Sequence, residues 1–211
     1  MDAEVRFDTV TRALYSTDAS VYLIQPLGVV LPRTREALEE IVRICSRLRC
    51  SFTMRGGGTS QAGQAIGAGL VVDTSKYLNR ILEVNAEQRW VRVEPGVVLD
   101  ELNAKLQPLG LRFAPDISTA SRATVGGMMA NNSAGARSVM YGKTIDHVLE
   151  QTVELSDGSI AEFREMPRDQ VPTGDSLEAR CYKTVLGWRP STRTKSIGVI
   201  PRSCGAWAAT T

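Results

Sequence analysis

The stretch from Met54 to Gln64, MRGGGTSQAGQ, has the residue types of an anion-binding loop. Consecutive glycines can present several backbone N–H groups at once, and a concave run of such groups binds phosphate oxygens. Thr59 and Ser60 add hydroxyl donors, and Arg55 adds a positive charge. A glycine run also costs conformational entropy on folding. It therefore indicates either a phosphate-bearing ligand or a tight surface loop that holds no ligand.

The glycine pattern differs from two common nucleotide-binding loops. No Lys-Ser or Lys-Thr pair follows the glycines, as a phosphate-binding P-loop requires. There is also no GxGxxG sequence with an acidic ribose ligand downstream. A doubly wound dinucleotide fold is therefore disfavoured.

A second segment of small residues lies farther along the chain. Residues 124–127, TVGG, are typical of a helix start, and residues 131–135, NNSAG, follow with side-chain amides and another glycine. Two separate segments of this kind in one domain indicate a long ligand that lies across both. A dinucleotide has the required length, with its pyrophosphate on one loop and its ring system along the other.

A strand, a helix and a strand are predicted before the glycine loop, after a short helix near residues 7–15. Residues 22–32 have strand composition interrupted at Pro26, and residues 51–54 form a short strand that ends at the loop. Between them a helix begins at Thr34. Its apolar positions follow helical spacing and are Leu38, Ile41, Val42, Cys45 and Leu48. This order predicts a βαβ unit with a right-handed crossover.

Strand and helix patterns continue after the loop. The predicted elements are a buried strand at residues 69–75, a hairpin turning at residues 86–88, a helix at residues 98–110, a hairpin turning at residues 157–158 and a helix at residues 176–186. We therefore expect an α+β fold. A small βαβ-type subdomain would precede a larger subdomain with a mixed or antiparallel sheet, and the ligand would lie in the cleft between them.

The composition disfavours several classes of protein. The chain has 211 residues and a formal net charge of +2, with basic residues scattered along it, so we expect no nucleic-acid partner. No apolar run approaches the length of a membrane span, and the N-terminus is too polar for a signal peptide. The four cysteines lack metal-ligand spacing, and Cys45 and Cys50 do not share a helix face well. We expect a reduced, cytoplasmic chain without a metal site.

Four segments in order resemble the FAD-binding domain of the vanillyl-alcohol oxidase and p-cresol methylhydroxylase (PCMH) type. They are RGGGTSQAGQ, GLVVDTSKYLNRILEVN, WVRVEPGVVLDELNAKL and FAPDISTASRATVGGMMANNSAGARSVMYGKTIDHV. The likeness is strongest to the D-lactate and glycolate dehydrogenase branch, and within it to long oxidoreductases with a C-terminal iron–sulfur domain. It runs from about residue 5 to residue 186. It implies the PCMH-type fold, with two α/β subdomains and FAD in the cleft between them.

The resemblance implies a set of cofactor-binding residues. The loop that wraps the FAD pyrophosphate would comprise Arg55, Gly56, Gly57, Gly58, Thr59, Ser60, Gly63 and Gln64. The turn beside the flavin ring would comprise Pro115, Asp116, Ser118 and Thr119, and the backbone near the isoalloxazine would belong to Thr124, Gly126 and Gly127. Residues farther along the cofactor would be Asn131, Asn132, Ala134, Gly135, Tyr141 and Gly142, with Val153 at the adenine side.

The resemblance implies an oxidoreductase that transfers hydride from a D-2-hydroxy acid, such as D-lactate or glycolate, to flavin N5. Electrons would then pass to a partner, which could be membrane-associated, or to an iron–sulfur domain in the C-terminal part. In that family the substrate ligands and the base belong to a cap that follows the FAD domain. The chain alone is therefore expected to be inactive. The alternatives are an inactive FAD-binding fragment and the FAD subunit of a split enzyme completed by a separate cap.

His147 is the only histidine of the sequence. No acidic or nucleophilic group accompanies it, so a structural or adenine-proximal role is a better interpretation than a catalytic base. Covalent flavin attachment through histidine occurs in some relatives, but the glycine loop holds no histidine. Cys45, Cys50 and Cys181 also fall outside the motifs. We therefore expect noncovalent FAD, and we assign no catalytic residue.

The last segment, residues 187–211, lacks the periodicity of the rest of the chain. Codons can be chosen for it that, read from their third bases, encode a helix-like peptide, LAAEHADEIDRRYPKILRRVGGYN, similar to the continuation of the long iron–sulfur branch. We therefore divide the chain into an FAD-binding domain at residues 1–186 and a tail at residues 187–211. The tail is expected to be an out-of-frame translation or a disordered terminus.

Overall fold

A four-stranded sheet forms the first half of the described protein; the structure, a computed structural model, describes residues 1–187. Its strands are β1 (Ala3–Arg6), β2 (Gly28–Pro32), β3 (Phe52–Arg55) and β4 (Leu70–Asp73), in the spatial order β1-β2-β4-β3. β2, β3 and β4 are parallel, and β1 pairs antiparallel with β2. Helix α1 (Thr9–Leu14) connects β1 to β2. The valines of β2 and β4 are fully buried, as expected for parallel strands covered on both faces.

Helix α2 (Arg35–Leu48) packs on one face of this sheet. Thr34 caps its start, because the Thr34 hydroxyl accepts a hydrogen bond from the backbone N–H of Ala37 at 3.2 Å. The helix ends in a left-handed residue, Arg49, and the backbone N–H of Cys50 then donates to the carbonyl of Cys45 at 2.9 Å. This turn folds Cys50 back against the core that contains Cys45. The expectation that the two cysteines do not share a helix face well assumed a continuous helix, whereas Cys50 lies beyond the end of α2 and packs beside Cys45.

A second core lies between a hairpin and two helices. The hairpin pairs β5 (Ile81–Asn85) with β6 (Trp90–Val93), and α3 (Leu99–Leu106) follows it. Among residues 1–187 the largest fully buried side chain is Phe113. It packs with the apolar faces of β6 and α3 and with the helix α4 (Val125–Asn131). α4 is therefore held against β6 and α3 by this core.

The helices and strands that follow α4 complete the described part of the fold. They are α5 (Ser138–Tyr141), the antiparallel hairpin of β7 (Glu150–Glu154) with β8 (Ile160–Arg164), and α6 (Leu177–Gly187). The predicted α+β class is confirmed. No helix in residues 1–187 is both long enough and apolar enough to span a membrane.

The structure differs from the sequence-based prediction in four places, the first of which is the unpredicted strand β1. Residues 22–27 form no regular strand, so the first predicted strand is shorter than expected. β4 lies between β2 and β3, so the predicted βαβ unit skips one strand. The second half contains two separate hairpins among the described residues instead of one larger sheet. The predicted tail, except Gly187, lies outside the described residues.

Glu154 marks the contact between the β7–β8 hairpin and α2. Both of its carboxylate oxygens are buried and lack a hydrogen-bond partner in the described part of the chain. Burial, together with the negative charge of Glu39 on α2, raises the pKa of Glu154 to about 7. Arg43 and Arg35 on α2 oppose the shift. In the same contact Gly158 lies against Arg43, whose Cγ would be 2.4 Å from an added Cβ.

We expect Glu154→Gln to weaken the pH dependence of stability. In the folded protein Glu154 holds its proton up to about pH 7, whereas an unfolded glutamate releases it near the ordinary value of 4.5. The folded state therefore binds more protons in this window, and its stability falls as pH rises through it. Thermal unfolding midpoints at pH 5, 6, 7 and 8 measure the effect. Glu162→Gln, on the exposed side of β8, is the matched control. An unchanged decline in the Glu154 variant would contradict this assignment.

Candidate functional site

The glycine loop begins directly at the end of β3. Arg55, the last residue of that strand, lies opposite Asp73, the last residue of β4. A cleft of about 440 Å³ opens beside these two strand ends. Its walls come from α1, the glycine loop, β4 with its following turn, α3 and the segment before α4. The lining residues are Leu14, Tyr15, Arg55, Gly56, Gly57, Asp73, Ser75, Asn79, Gly96, Val98, Glu101, Ser121, Arg122 and Thr124.

The backbone of the glycine loop offers a run of unused donors. Within residues 1–187, the N–H groups from Gly56 to Gln61 have no hydrogen-bond partner. The next donors are engaged, because the N–H groups of Ala62 and Gln64 both donate to the Ser60 hydroxyl. Unpaired N–H groups in sequence are the feature that anion-binding loops share. The loop can therefore bind an anion through its backbone.

Two of the glycines also have a packing role. A Cβ on Gly56 would lie 2.1 Å from the Thr124 hydroxyl oxygen, and a Cβ on Gly57 would lie 2.1 Å from the Arg122 carbonyl oxygen. The loop and the segment before α4 therefore touch through bare backbone. Glycine is needed at these positions for protein contact as well as for any ligand. Gly58 differs, because its φ of +64° is a conformation that L side chains rarely adopt.

Thr124 fixes the start of α4. Its side chain is buried and accepts a hydrogen bond from the backbone N–H of Gly127 at 3.4 Å. Gly126 lies on Pro95, because an added Cβ would be 2.6 Å from the Pro95 Cβ. Gly127 is exposed. Of the predicted isoalloxazine segment, Thr124 and Gly126 are thus packed inward, and Gly127 remains open.

The far end of α4 meets the glycine loop a second time. The amide nitrogen Nε2 of Gln64 lies 3.5 Å from Oδ1 of Asn131. Asn132 adopts the left-handed conformation that ends the helix, and its Oδ1 accepts a hydrogen bond from the N–H of Ile145 at 3.0 Å. The two small-residue segments therefore lie side by side. One asparagine faces the loop and the other fixes the following chain.

The turn predicted beside the flavin ring is tied to the segment after α4. Gly135 lies so close to Asp116 that an added Cβ would be 1.4 Å from the Asp116 carbonyl oxygen. Arg137 forms an ion pair with the Asp116 carboxylate at 3.2 Å. The Thr119 carbonyl accepts N–H donors from Arg122 and Ala123. Pro115 is buried, whereas the Ser118 side chain is exposed.

The other predicted site residues contribute less to this arrangement. Ala134 is exposed, and Gly142 takes a left-handed φ of +81° after α5. Tyr141 is exposed, and its carbonyl oxygen contacts His147. Val153 lies in β7, paired with Ala161. Its role at the adenine side of the cofactor stays a prediction.

His147 is buried between backbone and an aromatic ring. Its Nε2 lies 2.6 Å from the Tyr141 carbonyl oxygen, and its ring meets Phe113 edge-on. Its Nδ1 is buried without a partner in the described part of the chain. These contacts favour the structural interpretation of His147 over that of an accessible base.

Sequence reasoning missed the acidic side of the cleft. Asp73 is 5% exposed and accepts hydrogen bonds from the Tyr15 hydroxyl at 2.6 Å and from Ser75. Its position in the predicted buried strand at residues 69–75 was the available signal. Tyr15 carried no signal, because only the tertiary fold brings α1 to the sheet edge. Glu101 adds a second carboxylate to the lining.

Residues 26–164 match the model of a family described as FAD binding domain. The chain is 45% identical over 189 residues to D-2-hydroxyglutarate dehydrogenase of Pantoea ananatis (strain AJ13355), covering 85% of this chain and 18% of the relative. It is 35% identical over 151 residues to glycolate oxidase subunit GlcD of Bacillus subtilis (strain 168), covering 71% and 32%.

A solved structure of alkyldihydroxyacetonephosphate synthase shares the fold, with a TM-score of 0.69 and 21% sequence identity. The superposition covers 79% of this chain and 33% of that one. The chain thus spans about a fifth of the length of the dehydrogenase it matches and about a third of the synthase.

Proposed function

This chain belongs to the FAD binding domain family, and we propose that it is the FAD-binding part of a flavin-dependent dehydrogenase that oxidises a D-2-hydroxy acid. FAD, when bound, supplies the acceptor for the hydride that leaves the substrate carbon. The residues of this chain bind and orient that cofactor. No described residue is assigned as a base or as a ligand of the substrate carboxylate.

The run of unpaired N–H groups from Gly56 to Gln61 carries the proposal. A pyrophosphate presents several oxygens that such a run can bind without any specific side chain. The Ser60 hydroxyl already orients the end of the loop through the N–H groups of Ala62 and Gln64. The donor set therefore fits the diphosphate of FAD.

The adjacency of the two small-residue segments supports a ligand longer than a phosphate. The Gln64–Asn131 contact and the close approach of Gly57 to Arg122 hold the loop along α4 and the segment before it. A ligand bound to the loop would extend along exposed atoms of Gly127 and Asn131. In the proposed complex these residues lie along the rest of the cofactor.

The substrate class comes from the relatives. One is a D-2-hydroxyglutarate dehydrogenase and another a glycolate oxidase subunit, so a small 2-hydroxy acid is the shared chemistry. The name of the second relative, a subunit, favours the alternative that this chain works with a separately encoded partner.

The described cysteines are free thiols, which supports the proposed cytoplasmic location. Any membrane contact would then be made through the electron acceptor.

We expect the purified 211-residue chain to bind FAD noncovalently. The loop holds no histidine, and Cys45 lies in the core between α2 and the sheet, where no flavin can reach it. Flavin fluorescence titration measures the binding. Acid precipitation should then leave all of the yellow colour in the supernatant, and flavin retained in the washed pellet would contradict the noncovalent mode.

The same sample tests whether this chain alone can oxidise a 2-hydroxy acid with its bound FAD. Bound FAD should bleach on photoreduction, which shows that it is redox-active. It should stay oxidised when D-2-hydroxyglutarate, D-lactate or glycolate is added without oxygen, because the reaction also needs a positioned substrate and a base. Bleaching by a D-acid but not by its L-enantiomer would show that this chain itself binds the substrate.

A further inference from the structure

We propose that Arg55, Tyr15 and Asp73 form a staple that holds the glycine loop in its anion-binding shape before any ligand binds. Tyr15 is a positioning residue in this arrangement, because it acts on the loop through Arg55. The proposal deepens the proposed function, and its statement about FAD affinity rests on that function. The shape of the free loop is independent of that function, because it is a property of the protein without FAD.

The Arg55 guanidinium connects both ends of the loop to the segment after α1. Its Nη1 donates to the Ala65 carbonyl at 3.2 Å and to the Thr17 carbonyl at 2.9 Å. Nη2 lies beneath Gly58, where an added Cβ would be only 2.5 Å away. The guanidinium thus closes the stretch from residue 55 to residue 65 into a compact loop. Nη1 thus serves two protein carbonyls, so Arg55 can shape the loop without binding the anion itself.

The Tyr15 ring supports this guanidinium from one side. The Arg55 guanidinium carbon lies 5.1 Å from the centre of the ring, within the range of a cation–π contact. Tyr15 directly follows the last residue of α1 and caps its C-terminal end. Its hydroxyl donates to the Asp73 carboxylate at 2.6 Å. Burial raises the pKa of the Tyr15 phenol well above its usual range, so the hydroxyl keeps its proton and remains a donor.

Asp73 anchors the staple in the sheet. It is the last residue of β4, directly opposite Arg55 on β3, and it is almost fully buried. Its other oxygen accepts the Ser75 N–H and the Ser75 hydroxyl, each at 2.7 Å. A buried carboxylate needs all of its donors. Removing the Tyr15 hydroxyl therefore weakens the link between the strand end and the loop.

A direct contact between Arg55 and the cofactor phosphate is the competing explanation, and it is the role that the family resemblance implies. The two explanations make different predictions. A point charge at residue 55 could be replaced by lysine, and the Tyr15 hydroxyl would have no effect on the loop. A staple needs the planar fork of arginine, because lysine can neither stack in the same way nor bridge two carbonyls in fixed geometry.

We expect Tyr15→Phe to open the free loop. In the FAD-free chain, trypsin should cut after Arg55 about tenfold faster than in the unchanged protein, because cleavage reports the open fraction of the loop and a lost bond to a charged group shifts it by about this factor. FAD affinity should fall by about the same factor. Mass spectrometry of the peptides gives the cleavage rates. Cleavage after Arg89, in the β5–β6 turn, is the internal control and should not change.

Arg55→Lys should behave like Tyr15→Phe, with faster cleavage after the new lysine and weaker FAD binding. Tyr182→Phe, on α6, is the matched control and should leave both readouts unchanged. Wild-type cleavage rates in Tyr15→Phe would overturn the staple, as would full FAD affinity in Arg55→Lys. If the unchanged chain binds no FAD at all, the proposed function fails, and the cleavage rates still decide the staple.

Discussion

Gly57→Val is expected to reduce FAD affinity by more than about 100-fold, a loss of roughly 2.7 kcal/mol. A Cβ at this position would lie 2.1 Å from the Arg122 carbonyl oxygen and 2.9 Å from its carbon. Neither is a flexible side-chain atom, so the loop and the segment before α4 would have to separate. The unpaired N–H groups on both sides of Gly57 would then lose their common direction. Titration of the variant with FAD measures the loss.

The same contact predicts that folding will also be affected. The loop touches protein backbone at Gly57, so the variant should lose some thermal stability even without FAD. Gly187→Val is the matched control, because a Cβ there meets nothing within 4 Å among residues 1–187. Retained FAD affinity in Gly57→Val, with the control also intact, would show that the loop is not the pyrophosphate site.

Gly135→Ala is expected to destabilise the fold by at least about 3 kcal/mol, at the upper end of the usual cost of overpacking. The added Cβ would lie 1.4 Å from the Asp116 carbonyl oxygen and 2.4 Å from its carbon. The turn at residues 115–119 and the segment after α4 would have to move apart. The Arg137–Asp116 ion pair, at 3.2 Å, would break with them. Urea unfolding measures the change in the free energy of unfolding.

Gly127→Ala is the control for this effect. Gly127 is also a glycine of the second small-residue segment, but it lies inside α4 and its Cβ would only approach the Thr124 hydroxyl at 3.2 Å. Alanine favours a helix interior over glycine by about 1 kcal/mol, which offsets the contact. Equal stability of the Gly135 and Gly127 variants would contradict the assigned role of Gly135 as the point of closest approach.

Local sequence patterns were sufficient to predict those helices and hairpins whose formation depends on neighbouring residues alone. The spacing of Ile41, Val42 and Cys45 predicted α2, and Thr34 predicted its start. The alternation on either side of residues 86–88 predicted the β5–β6 hairpin. Such elements follow from hydrophobic periodicity and capping, which are properties of neighbouring residues. The four motifs in order also identified the family, which the match over residues 26–164 confirms.

Long-range placement could not be predicted in the same way. Nothing in the sequence between β3 and β4 states that β4 inserts beside β2, yet this order puts Arg55 next to Asp73. The contact of Tyr15 with both residues joins parts of the chain that are 40 and 58 residues apart. Cys50 returned to Cys45 because the helix ends in a left-handed turn, which a continuous helical pattern does not foresee.

The amino-acid sequence by itself determined that the chain has a glycine-rich loop, a second small-residue segment and the α+β fold of an FAD-binding family. It did so because glycine, small residues and periodic apolar positions are local requirements of backbone conformation and burial. Only the tertiary structure decided which glycines face protein and which N–H groups stay free. Those properties depend on how closely two distant backbones approach, at Gly57 with Arg122 and at Gly135 with Asp116.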